Sequence, residues 1–191
     1  TLQSLQAVTS DIVIVDSGST DDTVAVCKKM NANVIETVWA GYGINKNMGI
    51  EAAKHDWILN LDADEAIDAG LQQSILQLTL TNDEEVFDMR FKNFFCNKWI
   101  RFGEWGFDWH IRLFNRKKVK WNNAAVHENL IFPAGVKVTK LKGNILHYTV
   151  QSREEYDEKT DHYARMNAKK YFTAGRKPNS FKQYLSPAFA F

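Results

Sequence analysis

The run Asp11-Ile12-Val13-Ile14-Val15-Asp16 constrains the chain more than any other stretch. Its four central residues are all β-branched, and the run is too short for a stable helix. It reads as a strand buried on both faces. A turn-forming cluster, Ser17-Gly18-Ser19-Thr20-Asp21-Asp22, follows, and then a predicted helix over residues 22–30 with Val24 and Cys27 on its inner face. Ser19 and Asp22 have the spacing of a capping box, with Asp standing in for Glu. The same order then recurs. A strand is expected at 33–38, a loop through Gly41 and Gly43, and a helix at 45–54. A buried strand over 57–61 precedes a helix over 71–80, where Leu71, Ile75 and Leu78 keep helical spacing. Alternating strands and helices build an α/β fold, with a parallel sheet and crossover helices.

The second half reads differently. Short β-like pieces lie near 86–95, 111–114, 119–121, 136–141 and 144–148. A long amphipathic helix is expected from Ser152 to about Thr173, opened by a Ser152/Glu155 capping box. With 191 residues and no repeat or linker, one domain over 1–191 is expected. Twenty-four basic against 23 acidic residues leave a formal charge of +1. That balance gives no support for a nucleic-acid partner. Two cysteines, Cys27 and Cys96, cannot form a disulfide framework, so a reducing, cytoplasmic setting is the expectation. The apolar close over 184–191 either packs onto the core or reaches toward a membrane surface as a peripheral contact.

Two acidic clusters sit where buried strands end, the place where open α/β sheets bind ligands. One is Asp16; the other is Asp62-Ala63-Asp64-Glu65, directly after Trp57-Ile58-Leu59-Asn60-Leu61. Asp16 either caps its turn or faces a ligand. Three carboxylates within four residues repel one another unless a cation compensates them, and oxygen ligands suit Mg²⁺ or Mn²⁺. Lys46, near a predicted helix start, is placed either to meet an anion or to sit in solvent.

The strings Asp11-Ile-Val-Ile-Val-Asp-Ser-Gly-Ser-Thr-Asp-Asp-Thr23, Asn45-Lys46-Asn47-Met48-Gly49-Ile50 and Trp57-Ile-Leu-Asn-Leu-Asp-Ala-Asp-Glu65 together resemble a family 2 glycosyltransferase. Trp109-His110-Ile111-Arg112-Leu113-Phe114, Val126-His127-Glu128 and Leu146-His147-Tyr148 are similar to the lipopolysaccharide-core glucosyltransferase-like subgroup. The resemblance covers residues 1–172. It implies a single GT-A type domain with a mixed, mostly parallel central sheet and flanking helices. Residues 1–85 would form the nucleotide-sugar-binding half, 86–172 the acceptor-binding half, and 173–191 the start of a C-terminal extension. Family members open with a strand ending in a Thr/Tyr-Asn-Glu turn, and this first strand is missing from the sequence as printed.

The resemblance further implies an inverting, metal-dependent hexosyltransferase of cell-envelope polysaccharide synthesis. Its donor would be a UDP-linked or related nucleotide sugar, and its acceptor a saccharide or lipid-linked saccharide at the inner face of the cytoplasmic membrane. Asp16, Ser17, Lys46, Asp62 and Ala63 would bind the donor. Asp64, Asp62 and His127 would hold Mg²⁺ or Mn²⁺, with His147 as the alternative histidine. Inversion needs a carboxylate to take the acceptor's proton, and Asp108 ranks first, ahead of Glu128 and Glu104. Trp105, Trp109 and Arg112 would contact the acceptor, with Trp99 a further aromatic candidate. A non-catalytic nucleotide-sugar-binding module and a sugar nucleotidyltransferase are the competing readings.

Overall fold

The computed structural model describes residues 1–123 and 128–176. In chain order the elements are α1 (Leu2–Leu5), β1 (Val13–Asp16), α2 (Thr23–Lys29), β2 (Asn33–Glu36), α3 (Tyr42–Ala52), β3 (Trp57–Leu59), β4 (Glu65–Ile67) and α4 (Ala69–Leu76). There follow β5 (Glu85–Phe95), β6 (Lys98–Trp99), β7 (Trp109–Asn115), β8 (Lys120–Trp121), β9 (Leu130–Ile131), β10 (Lys137–Val150) and α5 (Arg153–Thr173).

The α/β expectation holds and the sheet is mixed. Its balance differs from the mostly parallel one expected. β1 and β2 pair in parallel as a two-stranded unit, and a six-stranded sheet runs β3-β7-β5-β10-β4 with β6 added on β5. Within that sheet only β5–β10 is parallel; the other pairs are antiparallel. The reason is local. The acidic stretch after β3 turns straight into β4 rather than into a helix, and the later strands are joined by turns and loops instead of crossover helices, so neighbours can run in opposite directions. The sheet takes β3 and β4 from the first 85 residues and β5, β7 and β10 from beyond them, so the two halves share one set of hydrogen bonds.

Apolar residues pack on both faces. On one side Leu71 of α4 meets Phe87, Met89, Phe91, Leu113 and Ile145. On the other, Ile50 of α3 meets Ile58, Val86, Phe114, Val119 and Trp121. β5 supplies both clusters because successive side chains along a strand point to opposite faces.

Residues 136–141 and 144–148, read from sequence as separate strands, belong to one strand broken by a bulge between Lys140 and Asn144. Gly143 within it has φ +99, and a Cβ there would lie 2.0 Å from Leu71 N. The bulge seats the start of α4: Asp68 caps that helix by accepting from Leu71 N at 2.9 Å, and it also accepts from Asn144 N and Nδ2. The expected Ser19/Asp22 capping box does not form. Asp22 caps α2 without a side-chain bond, because Ser19 turns its hydroxyl to Asp16 instead. The Ser152/Glu155 box does form, with Glu155 N donating to Ser152 Oγ and Glu155 accepting from Gln151 N. The helix it opens is not amphipathic in its packing, since no residue of α5 is buried. Among the described residues no helix is long and apolar enough to cross a membrane.

Replacing Gly143 with Ala combines left-handed backbone with a clash against α4, and should cost about 2–5 kcal/mol. Gly135 also has positive φ but nothing within 4 Å of a Cβ, so Gly135→Ala should cost only about 1 kcal/mol. Urea-unfolding midpoints of the two variants check this difference.

Candidate active site

The two strand-end carboxylate groups belong to different sheets, Asp16 to the β1–β2 pair and residues 62–65 to the six-stranded sheet. Asp16, at the end of β1, is 6% exposed and organises its own turn. One oxygen accepts from Gly18 N and Ser19 N, each at 3.0 Å, and the other from the Ser19 hydroxyl. These bonds to Ser19 hold its carboxyl below the usual range. The adjoining Ser17 Oγ accepts from Asn45 Nδ2 of α3 at 2.6 Å, and Asn45 in turn accepts from Ala40 N. The turn after β1 is thereby fastened to the start of α3, one residue before Lys46.

Lys46 is nearly buried and bridges two acids, Asp62 at 3.0 Å and Glu128 at 2.8 Å. Its ammonium lies 4.7 Å from the centre of the Trp121 ring, whose Nε1 donates to Asn60 Oδ1. Asp62 also meets Arg112 Nη2 at 3.3 Å. Burial opposes ionisation of Asp62, but Arg112 and Lys46 outweigh it and hold the carboxyl below its usual value. Arg112 makes a second, closer pair with Glu65, which is 1% exposed and also accepts from Asp62 N. Burial pushes the Glu65 carboxyl upward despite Arg112.

Asp64 points to the other side of the acidic tip. Its carboxylate is 3.4 Å from His147 Nε2 on β10, and its carbonyl accepts from Tyr148 N. Burial disfavours the charged imidazole, yet the Asp64 carboxylate beside it raises His147 above the ordinary histidine value. The other ring nitrogen, Nδ1, lies 2.7 Å from Asn93 Oδ1. Asn93, 3% exposed, donates through Nδ2 to Asp108 Oδ2 at 3.0 Å and to the Trp105 carbonyl at 3.1 Å. Asp108 Oδ1 is 2.7 Å from His110 Nε2. Burial raises the Asp108 carboxyl, but its bonds to His110 and Asn93 outweigh that and lower it.

The structure therefore pairs Lys46 with Asp62 and Glu128, links Asp64 through His147 and Asn93 to Asp108, and bonds Ser17 to Asn45, the residue before Lys46. Ala63 meets Thr1, whose hydroxyl donates to its carbonyl at 2.6 Å. Arg112 lines a cavity of about 470 Å³ together with Trp109, His110, Trp121 and Glu128, although its guanidinium is committed to Glu65 and Asp62. Trp109 lies under Lys140 Nζ at 4.3 Å. Trp105 reaches the site through its backbone carbonyl, and Trp99 packs against Lys92 and Arg101 away from it. Glu104 opens the single 3₁₀ turn Glu104–Gly106. His127 lies outside the described residues, and at the acidic tip His147 is the histidine in contact.

Sequence reasoning missed Asn93, His110 and Asn45. Asn93 had a readable signal: it follows Phe87, Met89 and Phe91 on the buried phase of β5, where a polar residue requires partners. The carboxylates' need for a compensating cation is met in part by Lys46, Arg112 and His147. Among the described residues no group of three or more His, Cys, Asp or Glu side chains is gathered to hold a metal ion.

A mixed α/β sheet with carboxylates at a strand end and an adjoining serine-rich turn is the arrangement of a glycosyltransferase domain. The chain belongs to glycosyl transferase family 2, whose model matches residues 1–142, and the fold agrees with a single GT-A type domain. It is similar to uncharacterized glycosyltransferases of Rickettsia conorii (28% identical, 95% of this chain, 68% of the relative) and Rickettsia typhi (28%, 95% and 65%). It is also similar to the lipopolysaccharide core biosynthesis glycosyltransferase LpsC of Rhizobium meliloti (26%, 95% and 70%). The chain spans about two thirds of the length of these curated relatives.

Arg112→Leu would strand Glu65 as a buried charge and should cost about 3–5 kcal/mol, whereas removing both charges as Arg112→Leu with Glu65→Leu should recover much of that loss. Chemical denaturation of the two single variants and the double variant measures the coupling. Because the Asp108 carboxyl is lowered in the folded state, its stabilising contribution is present above the unfolded aspartate value and fades as pH falls through the folded one. His110→Phe should move that carboxyl upward and flatten the acid limb of stability against pH. A carboxyl-carbon NMR titration of Asp108 reads the shift.

Proposed function

We propose that the chain is an inverting, metal-assisted hexosyltransferase that moves a sugar from a nucleoside diphosphate donor, UDP-linked in the first instance, to a saccharide acceptor. The observation that carries this reading is that two runs of paired side chains meet at the acidic stretch 62–65: Lys46 with Asp62, and Asp64 through His147 and Asn93 to Asp108. They connect an acidic strand end with Asp108, a carboxylate paired to His110 of the cavity wall. The relative LpsC, named for lipopolysaccharide core biosynthesis, supports a lipid-linked envelope saccharide as acceptor, met at the cytoplasmic face of the inner membrane.

The residues divide the work. The turn after β1, ordered by Asp16 and braced by Asn45 on Ser17, forms the wall for the nucleoside. Lys46 lies beside the diphosphate, but its charge is already shared between Asp62 and Glu128. Asp64, with His147 facing it, would offer one carboxylate and one imidazole to Mg²⁺ or Mn²⁺, the remaining ligands being water and the donor's phosphate oxygens, while Asp62 is held by Lys46 and Arg112. Such a cation, when bound, stabilises the charge that accumulates on the departing diphosphate.

Asp108 accepts the proton of the acceptor hydroxyl as its oxygen attacks the anomeric carbon opposite the leaving group, which inverts that centre. Its lowered pKa keeps it ionised at neutral pH. Each of its oxygens already takes one bond, from His110 or Asn93, which fixes its direction and leaves lone pairs free. Glu128 is the weaker choice because Lys46 occupies its carboxylate.

Calorimetry should find UDP binding that strengthens with Mn²⁺ and loses that dependence in Asp64→Ala. Asp108→Asn should bind UDP normally while transfer falls about 10²–10⁴-fold. Nucleotide binding indifferent to both Mn²⁺ and Asp64 would overturn the reading.

A further inference from the structure

Two phenylalanines stand in solvent on a loop that is otherwise well braced: Phe102 is 82% exposed and Phe107 76%. β5 reverses through Cys96 and Asn97, both left-handed, so that Phe94 pairs with Trp99 and Phe95 with Lys98. The chain then crosses itself. A Cβ on Gly106 would lie 2.3 Å from the Arg101 carbonyl, so only glycine allows this approach. Phe102 and Phe107 each follow directly on a residue of that close approach. Asn93 holds the Trp105 carbonyl, and Arg90 Nη2 reaches the Gly106 carbonyl at 3.5 Å. A loop fastened this firmly could fold its phenylalanines inward, yet it displays them.

We propose that the segment from residue 96 to 107 is a membrane-docking loop that seats Phe102 and Phe107 in an anionic phospholipid surface. The charge around it favours that partner. Between residues 90 and 108 four basic side chains, Arg90, Lys92, Lys98 and Arg101, stand against two acidic ones, Glu104 and Asp108. Asp108 is turned to Asn93 and His110. Lys92 and Arg101 lie 5.0 and 4.7 Å from the Trp99 ring. Exposed aromatic residues among cations match the headgroup region, where amphipathic rings lie at the interface and basic side chains meet lipid phosphates. A saccharide platform is a poorer fit, since neither phenylalanine lines the cavity walled by Trp109, His110 and Glu128.

The loop runs directly into Asp108 and β7. Docking would hold the proposed base close to the lipid surface, within reach of an acceptor anchored there. That consequence rests on the transfer reading; the docking itself does not, and is measured without donor.

Flotation of the full chain with vesicles of phosphatidylethanolamine and phosphatidylglycerol, against vesicles of phosphatidylcholine alone, tests it. The chain should float with the anionic vesicles and be released as salt is raised. Phe102→Ser with Phe107→Ser should lower partitioning roughly tenfold or more. Lys98→Glu with Arg101→Glu should also lower it, and decides the matter if the phenylalanine variant misfolds. UDP binding by either variant should match the parent, which separates a docking failure from a failed transfer reading. A parent that stays in solution at low salt, or paired variants that float like the parent, would overturn the proposal.

Discussion

Arg112, fixed on β7 between Glu65 and Asp62, ties the sheet to the acidic tip. The tip leaves β3 and turns back into β4, so its backbone lacks a helix to hold it. Asp62 N donates to Glu65, and Arg112 grips both side chains. A buried pair of this kind adds little net stability, because the desolvation of both charges offsets most of their attraction. Its contribution is geometric. With Glu65 immobilised on one side, Asp64 is delivered to the other, facing His147, and Asp62 is left between Lys46 and Arg112.

The strand-then-carboxylate order at Asp16 and at Asp62 was legible in the sequence because short β-branched or apolar runs have few alternatives to a buried strand. The helices at α2, α3 and α4 followed from spacing, within a few residues at their ends. Strand direction was not legible. Alternation of strand and helix in the first half implied parallel neighbours throughout, but direction depends on which strands pair, and β3 and β4 are separated in the sheet by β7, β5 and β10. The Gly143 bulge was also misread as a gap between strands, since local pattern cannot distinguish an unpaired kink from a turn.

Site residues split along a similar line. Asp62, Asp64, Lys46 and Asp108 announce themselves by charge and by position. Arg112 was assigned to an acceptor because its charge was visible, while its partner Glu65 was counted only as one more acid in a cluster. Asn93 carries no charge and belongs to no motif. Its position on the apolar phase of β5 becomes informative only once β10 delivers His147 to one side of it and the loop after β6 returns Asp108 to the other. Contacts of this kind join residues 15 and 54 positions apart, and local periodicity does not encode them.

The charge held at the tip bears on how a diphosphate could enter. Four carboxylates, Asp62, Asp64, Glu65 and Glu128, share two permanent cations, Lys46 and Arg112, with His147 adding a third when protonated. Lys46 is divided between Asp62 and Glu128, and Arg112 between Asp62 and Glu65, so neither cation is free for a new anion. A diphosphate brought against this arrangement meets a surplus of negative charge at short range, where each like-charged pair costs about 1–4 kcal/mol. Protonating His147 removes only part of that surplus and withdraws a donor. The proposed divalent cation at Asp64 answers both difficulties: it neutralises the carboxylate that has no permanent cation and supplies positive charge that no side chain there has to spare. The ion pairs that hold the tip thus explain why the chain's own cations would not suffice for its proposed donor.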